Sequence, residues 1–156
     1  MTEHRLNIGD VVTSSRKAIY TCFGLGSCIG LFIQDRHAGL SGGAHIFLPG
    51  AEKMPSAGAR FYSVTSALQE ILRQLKLKGS TLEGLRAKVT GGANVLAVNR
   101  GTGARNTESV LAELVAHRIY VATADVGGIY SRTARFESET GLLTVRIPET
   151  NQYCIY

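Results

Sequence analysis

The sequence has no tryptophan, three proline residues and three cysteine residues in a chain of 156. Cys22, Cys28 and Cys154 are too few to form a disulfide framework, and they contain no C-x-x-C pair of the kind that binds zinc. No apolar run approaches the roughly 20 residues that a membrane-spanning helix needs, and the first residues do not resemble a signal peptide. We therefore expect free thiols in a cytoplasmic protein that does not insert into a membrane.

Positive charge is present but diffuse. The 17 Lys and Arg residues against 12 Asp and Glu give a formal net charge of +5, and no stretch gathers five or more basic residues. Aromatic and basic residues do not alternate, so nucleic acid is not the expected partner. With 44% hydrophobic and 19% charged residues the chain is globular, and its length fits one domain over residues 1–156.

Short apolar runs rich in β-branched and aromatic residues predict strands. The predicted strands are 18–22, 29–34, 40–48, 85–90, 119–124, 134–138 and 142–147. Short connections between the first three favour antiparallel neighbours, because a parallel pair needs a crossover of about a dozen residues. Glu139, Thr140 and Gly141 are typical of a hairpin connection between the last two.

Two segments have the three- and four-residue apolar spacing of amphipathic helices. The apolar residues of the first, 56–78, are Phe61, Val64, Leu68, Ile71, Leu72 and Leu75. Gly79 suits its C-terminal end. A second helix is predicted to begin with Asn106 as N-cap. Its predicted buried residues are Val110, Leu111, Leu114 and Val115. Helices mixed with neighbouring strands predict an α+β fold.

Cys28 ends the segment Gly24-Leu25-Gly26-Ser27-Cys28. The thiolate is the reactive form of cysteine, and the two glycines allow the backbone to approach a substrate closely. Backbone N–H groups around Ser27 and Cys28 could stabilise the oxyanion of an acyl-transfer reaction. One alternative is a simple bend with Cys28 in the core. Another is a phosphate-binding loop, which the glycine spacing and the lack of a following lysine disfavour.

A cysteine nucleophile needs a base, and the sequence has four histidines. His4 lies near the terminus and is expected to be solvated, His37 lies in a polar turn, and His117 lies at the end of the second predicted helix. His45 alone lies in an apolar strand. It is either a core residue or, if its strand lies beside the Cys28 loop, the general base.

Together these segments resemble the CheD family of chemoreceptor glutamine deamidases. The resemblance rests on the Gly-Leu-Gly-Ser-Cys28 loop and on His45 within Gly-Gly-x-His-x-x-Leu-Pro. It continues downstream in Gly91-Gly-Ala-Asn94, Gly103-Ala-Arg-Asn106, Asp125-Val-Gly-Gly128 and Phe136-Glu-Ser-Glu-Thr-Gly141. These blocks follow in the expected order over nearly the whole chain.

The resemblance implies a sandwich-like fold of mixed, largely antiparallel sheets with two or three helices, similar to the deamidating domain of cytotoxic necrotizing factor toxins. It implies a cysteine hydrolase, with Cys28 as nucleophile and His45 as base, that converts glutamines of the helical cytoplasmic domain of chemoreceptors to glutamate. The same acyl chemistry extends to receptor methyl esters, and it needs no metal or organic cofactor. A CheC-type phosphatase is a second implied partner.

The sequence departs from the family at one supporting position, where members usually have a threonine and this chain has Cys22. Thr21 is adjacent, but strand alternation directs it to the opposite face, so it cannot simply replace that threonine. The other residues expected to support the nucleophile or to form the substrate rim are Gly26, Ser27, Gly91, Gly92 and Asn94. Three rivals stay open: a thiol hydrolase with another substrate, a non-catalytic adaptor that binds receptors or the phosphatase, and a basic nucleic-acid binder.

Overall fold

The computed structural model describes residues 1–52, 60–96 and 101–156, which form ten strands and two helices. The strands are β1 (Thr2–Arg5), β2 (Val11–Ser14), β3 (Ala18–Leu25), β4 (Ile29–Asp35), β5 (Leu40–Ile46), β6 (Arg86–Gly91), β7 (Tyr120–Val126), β8 (Arg132–Glu137), β9 (Leu142–Ile147) and β10 (Gln152–Ile155). The helices are α1 (Val64–Leu77) and α2 (Thr102–Ala116). Every predicted strand is present with bounds shifted by a few residues, whereas β1, β2 and β10 are short strands that the sequence pattern does not predict.

The strands form two five-stranded sheets. The first has the order β1-β3-β8-β9-β10 and the second the order β2-β5-β4-β6-β7. Among the described strand pairs, β1–β3 and β6–β7 are parallel and the others are antiparallel, including the predicted β8–β9 hairpin. The predicted class, an α+β sandwich of mixed and largely antiparallel sheets with flanking helices, is confirmed.

The central strand β4 separates two cores, because its residues point alternately to opposite faces. Ile29, Leu31 and Ile33 belong to the core beneath the two helices. Phe32 belongs to the core between the sheets, where it stacks on Phe136 of the first sheet with ring centroids 5.4 Å apart. The helices therefore cover one face of the second sheet, and the first sheet covers the other.

One expected strand pairing is wrong. β4 and β5 are antiparallel neighbours as predicted, but β3 lies in the first sheet and pairs with β8. The three residues 26–28 lead from β3 to β4 and carry the chain from one sheet to the other. Three extended residues span about 10 Å, which matches the usual separation of packed sheets, so a short connection does not require adjacent strands. The loop that carries Cys28 is therefore the link between the two layers.

The first helix is shorter than predicted. α1 begins after Ser63, whose side chain accepts from the Ser66 N–H in a capping box, so the chain is not helical at Phe61. Phe61 still packs against the core beneath the helices. The predicted helical residues 56–59 lie outside the described part of the chain. The helix ends at the Lys78 C-cap, beside Gly79 with its positive φ of 105°.

The second helix begins earlier than predicted. Gly101 is its N-cap, so Asn106 is not the N-cap but a fully buried residue inside the helix. Val110 and Leu114 are buried as predicted, and Leu111 packs at the edge of the core. Val115 is 70% exposed, which corrects its predicted place in the buried face. Because the helix already begins at Thr102, Asn106 lies inside it and shares one face with Val110 and Leu114 at four-residue steps.

Candidate active site

Cys28 lies where the chain crosses between the sheets, one residue before β4 begins. Its side chain belongs to the core between the sheets and is 7% exposed. The segment after β6 holds this loop, since the Gly92 N–H donates to the Cys28 carbonyl oxygen at 2.9 Å and the Ala93 N–H donates to the Gly26 carbonyl oxygen at 2.8 Å. Backbone hydrogen bonds therefore fix the loop on both sides of Ser27.

Gly91 and Gly92 are required by the closeness of this contact. A Cβ atom at Gly91 would lie 2.2 Å from the Cys28 carbonyl oxygen, and one at Gly92 would lie 2.0 Å from the Thr107 hydroxyl. Both residues also have positive φ, 104° and 64°. The expected rim glycines thus contact the loop through their backbone. Asn94 is exposed, and its N–H donates to the Gly128 carbonyl oxygen at 2.9 Å.

Substituting Gly91 with alanine should therefore destabilise the protein. We expect the free energy of unfolding in urea to fall by about 2–4 kcal/mol, because positive φ and a backbone collision act together. Gly39→Ala is the matched control, since Gly39 has a φ of 65° but nothing within 4 Å of its missing Cβ. The control should lose only the left-handed strain of about 1–2 kcal/mol. Equal losses in the two variants would refute the collision at Cys28.

His45 lies on the same face of the second sheet as Cys28. The β4–β5 register places Gly30 opposite His45, and residues directly opposite share a face. Gly30 and Cys28 share that face because they are two residues apart. Cys28 lies one residue beyond Ile29 and Ile46, the last pair of the β4–β5 ladder, and no hydrogen bond joins its sulfur to the His45 imidazole. The two residues share one face of the sheet, and their roles as nucleophile and base stay predictions.

The tautomer of His45 follows from its hydrogen bond. The Nδ1 atom is 3.0 Å from the Leu6 carbonyl oxygen, which can only accept, so Nδ1 carries the proton. The Nε2 atom is buried and has no partner among the described residues. It is left as an unprotonated acceptor, the form that a general base requires.

Both members of the pair are neutral near pH 7. Burial lowers the pKa of His45, against the opposing effects of its Leu6 hydrogen bond and of nearby Asp10. Burial also raises the pKa of the Cys28 thiol to about 11. A resting thiolate–imidazolium pair is therefore not favoured. Proton transfer from the sulfur to Nε2 would then accompany attack of the sulfur on an electrophile, and no hydrogen bond joins the two atoms in the structure.

A cavity of about 500 Å³ borders His45. Its lining includes His45, Phe23, Gly24 and Tyr62 but not Cys28. The cavity meets the end of β3 and so adjoins the loop that leads to Cys28. His45 is nevertheless only 4% exposed with its Nε2 atom buried, and Cys28 is 7% exposed, so both side chains lie below the surface.

The Cys28 loop offers unpaired backbone donors. In the described parts of the chain, the N–H groups of Ser27 and Cys28 donate to no acceptor, whereas the Gly26 N–H donates to the Gly24 carbonyl oxygen. Two adjacent unpaired N–H groups beside a nucleophile have the form of an oxyanion hole. This geometry agrees with the roles expected for Ser27 and Cys28.

Unpaired polar side-chain atoms lie on both sides of the second sheet, those of His45 and Thr90 on the face of Gly30 and those of Asn106 and Thr107 on α2. Four buried atoms lack a partner among the described residues: His45 Nε2, Thr90 Oγ1, Asn106 Oδ1 and Thr107 Oγ1. Gly30 of β4 lies between His45 on the neighbouring strand β5 and Thr90 on the neighbouring strand β6. Asn106 donates to the Ser27 carbonyl oxygen, and Thr107 lies against Gly92. Buried polar atoms are nearly always paired, so each of these four atoms requires its own explanation.

Comparisons with known proteins agree with this geometry. The family model described as "CheD chemotactic sensory transduction" matches residues 47–147. A relative from Desulfitobacterium hafniense, named "Probable chemoreceptor glutamine deamidase CheD", is 34% identical over 90% of this chain and 91% of its own length. The Thermotoga maritima "Chemoreceptor glutamine deamidase CheD" is 30% identical over 90% of this chain and 89% of its own length. The chain belongs to the CheD family. The resemblance inferred from the sequence is thereby confirmed.

Cys22, the residue at which the sequence departs from the expected CheD pattern, lies beside Cys28. It is fully buried in the same core as Cys28. Burial raises the pKa of Cys22, and a charge on Cys28 would raise it further, which indicates that the two sulfurs are close. Thr21 is half-buried on the opposite face of β3, opposite Arg135, as strand alternation predicts. A thiol thus stands where CheD members usually have a hydroxyl, and it donates hydrogen bonds more weakly.

The remaining histidines lie away from Cys28. His37 is exposed in the β4–β5 turn, and His117 caps the C-terminus of α2 with Nδ1 2.8 Å from the Glu113 carbonyl oxygen. His4, expected to be solvated, is half-buried in β1 and stacks on Tyr20 at 5.3 Å. Within the described residues, neither helix is long and apolar enough to span a membrane. No group of three or more His, Cys, Asp or Glu side chains in that part could hold a metal ion.

Sequence reasoning missed the part that Asn106 plays in this CheD-family site. Its Nδ2 atom donates to the carbonyl oxygens of Ser27 and Phe47, at 2.8 and 3.1 Å. A signal was present, because Asn106 precedes Val110 and Leu114 at four-residue steps and a polar residue on a buried stripe is informative. The late predicted start of α2 concealed it. Thr90 had no comparable signal, since a threonine in a strand is ordinary.

Proposed function

We propose that this chain is a cysteine-dependent glutamine deamidase that acts on chemoreceptors. The supporting observation is the shared inner face of Cys28 and His45, with the imidazole Nε2 atom buried and unpaired. The names of the relatives supply the reaction, since they are chemoreceptor glutamine deamidases by name. The glutamines of a receptor's helical cytoplasmic domain are then the substrate, and the cytoplasm is the place of action.

In the first half of the proposed reaction, the Cys28 sulfur attacks the side-chain carbonyl carbon of a glutamine while His45 Nε2 accepts the thiol proton. The N–H groups of Ser27 and Cys28 donate to the oxyanion that forms. The tetrahedral intermediate collapses when the His45 imidazolium protonates the departing nitrogen. Ammonia leaves, and a γ-glutamyl thioester remains on Cys28.

In the second half, a water molecule attacks the thioester carbonyl while His45 Nε2 accepts a proton from it. The carbon–sulfur bond breaks, the proton returns to the sulfur, and glutamate is released. A γ-glutamyl methyl ester would pass through the same thioester with methanol as the leaving group, so the proposal includes receptor methylesterase activity. No step uses a metal or an organic cofactor.

The rival proposal is a non-catalytic adaptor that binds receptors or a CheC-type phosphatase. The observation that favours it is Cys22, which provides a thiol at the position of the family's hydroxyl. An adaptor would bind a receptor without altering it. The two proposals therefore differ in the chemical state of the receptor after contact.

The deciding experiment incubates the purified protein with the cytoplasmic fragment of a chemoreceptor. We expect ammonia release, together with conversion of specific glutamines to glutamate located by peptide mass spectrometry. An unrelated glutamine-rich protein serves as the control substrate and should remain unmodified. Binding of the receptor fragment without any conversion would refute the deamidase and support the adaptor. Conversion of the control protein at an equal rate would refute the receptor specificity.

A further inference from the structure

Asn106 is a buried side chain that bonds both to the Cys28 loop and to the residue that follows β5, the strand of His45. It is fully buried within α2. Its two Nδ2 hydrogens reach the carbonyl oxygens of Ser27, one residue before Cys28, and of Phe47, two residues after His45. Both partners can only accept, so the amide nitrogen and not the oxygen must face them.

The two hydrogen bonds of Asn106 lie at the end of the β4–β5 ladder. Ile29 and Ile46 form the last pair in that register, and beyond it the chains that carry Cys28 and Phe47 separate. The two Asn106 hydrogen bonds continue the connection across this gap. They therefore set the position of the Cys28 loop relative to the strand that carries His45.

The bond to Ser27 also orients the peptide that joins Ser27 to Cys28. In a trans peptide the carbonyl oxygen and the following N–H point in opposite directions. No cis peptide bond occurs among the described residues. Since the Ser27 carbonyl points at Asn106, the unpaired Cys28 N–H points away from α2 and is free to donate to a reacting carbonyl oxygen.

Stability alone does not explain an asparagine here. Asparagine is a weak helix former, and burying an amide costs free energy unless all its groups are paired. The Oδ1 atom of Asn106 has no partner among the described residues. An apolar residue would continue the stripe of Val110 and Leu114, so the amide serves orientation more than packing.

We propose that Asn106 is a positioning residue of the deamidase, which aims the Cys28 N–H at the oxyanion and keeps the sulfur in register with His45. The inference rests on the proposed function and deepens it. Asn106 touches neither substrate nor the reacting atoms, and it acts through the backbone of the loop.

The test compares Asn106→Ala with the parent protein on a receptor fragment. We expect kcat to fall about 100-fold with KM unchanged, because misplaced donors weaken transition-state stabilisation and not substrate binding. Alkylation of Cys28 by iodoacetamide, followed by peptide mass spectrometry, should slow much less than kcat falls, because alkylation forms no oxyanion and depends on Asn106 only through the register of the sulfur with His45. A parent-like kcat in a folded variant would overturn the proposal, and so would an equal loss of alkylation.

Val110→Ala is the matched control, since it removes a buried side chain from the same helix without touching Ser27 or Phe47. It should lower thermal stability and leave kcat unchanged below its unfolding temperature. A fall in kcat as large as that of Asn106→Ala would show a general structural effect and overturn the proposal.

Asn106→Ser decides the matter if the alanine variant does not fold, because the hydroxyl retains one of the two donors. We expect an intermediate kcat with the parent KM, and a parent-like kcat would overturn the proposal. Failure of the proposed function looks different: the parent protein itself would then release no ammonia from the receptor fragment.

Discussion

Cys28→Ala is expected to reduce ammonia release from a receptor fragment to the uncatalysed background, a loss of at least about 10⁴-fold. The reason is chemical, because without the sulfur there is no thioester and a methyl side chain cannot attack an amide. Folding should survive, since alanine fits the space of a side chain that is 7% exposed. The measurement is coupled detection of ammonia, with circular dichroism to verify the fold.

Cys154→Ala is the matched control for this result. Cys154 is an exposed free thiol on β10, a strand of the first sheet. Its removal should leave the rate unchanged. Persistent turnover in Cys28→Ala, or its loss in Cys154→Ala, would contradict the assignment of the nucleophile.

His45→Asn is expected to lower kcat/KM by about 10²- to 10⁴-fold, the usual contribution of a general base. The asparagine amide can still donate to the Leu6 carbonyl oxygen in place of Nδ1, so the change removes Nε2 while preserving the buried hydrogen bond. His37→Asn is the control, because His37 is exposed in the β4–β5 turn. The kcat/KM of His37→Asn should equal that of the parent protein.

The pH dependence of the rate tests the same residue independently. A proton on Nε2 abolishes the base, so the parent rate should fall as the pH drops through the pKa of His45. Burial lowers that pKa, and the fall should therefore occur below about 6.5, the ordinary value for histidine. In His45→Asn this acid limb should disappear, and the residual rate should rise towards pH 11 as the thiol ionises, because burial raises the pKa of Cys28 to about 11. An acid limb that persists in the variant would exclude His45 as the base.

The strands of the site were predictable because their side chains satisfy local rules. β4 and β5 are antiparallel neighbours with short connections, and β-branched and aromatic residues mark β4. The opposite faces of Thr21 and Cys22 followed from alternation alone. The late predicted start of α2 and the β3–β4 pairing failed, because a helix cap and a sheet crossover depend on what packs against them.

The identities of Cys28 and His45 as the reactive candidates came from the sequence by itself, since a glycine loop before a cysteine and a lone histidine in an apolar strand are local patterns. Only the tertiary structure decided their environment. At residues 26–28 the chain passes from one sheet to the other. The Leu6 carbonyl oxygen accepts from His45 Nδ1, and the Asn106 amide donates to the Ser27 carbonyl oxygen. Both hydrogen bonds join residues that are distant in the chain. Burial and hydrogen-bond geometry control the protonation of the pair, and these arise only when separate segments pack together.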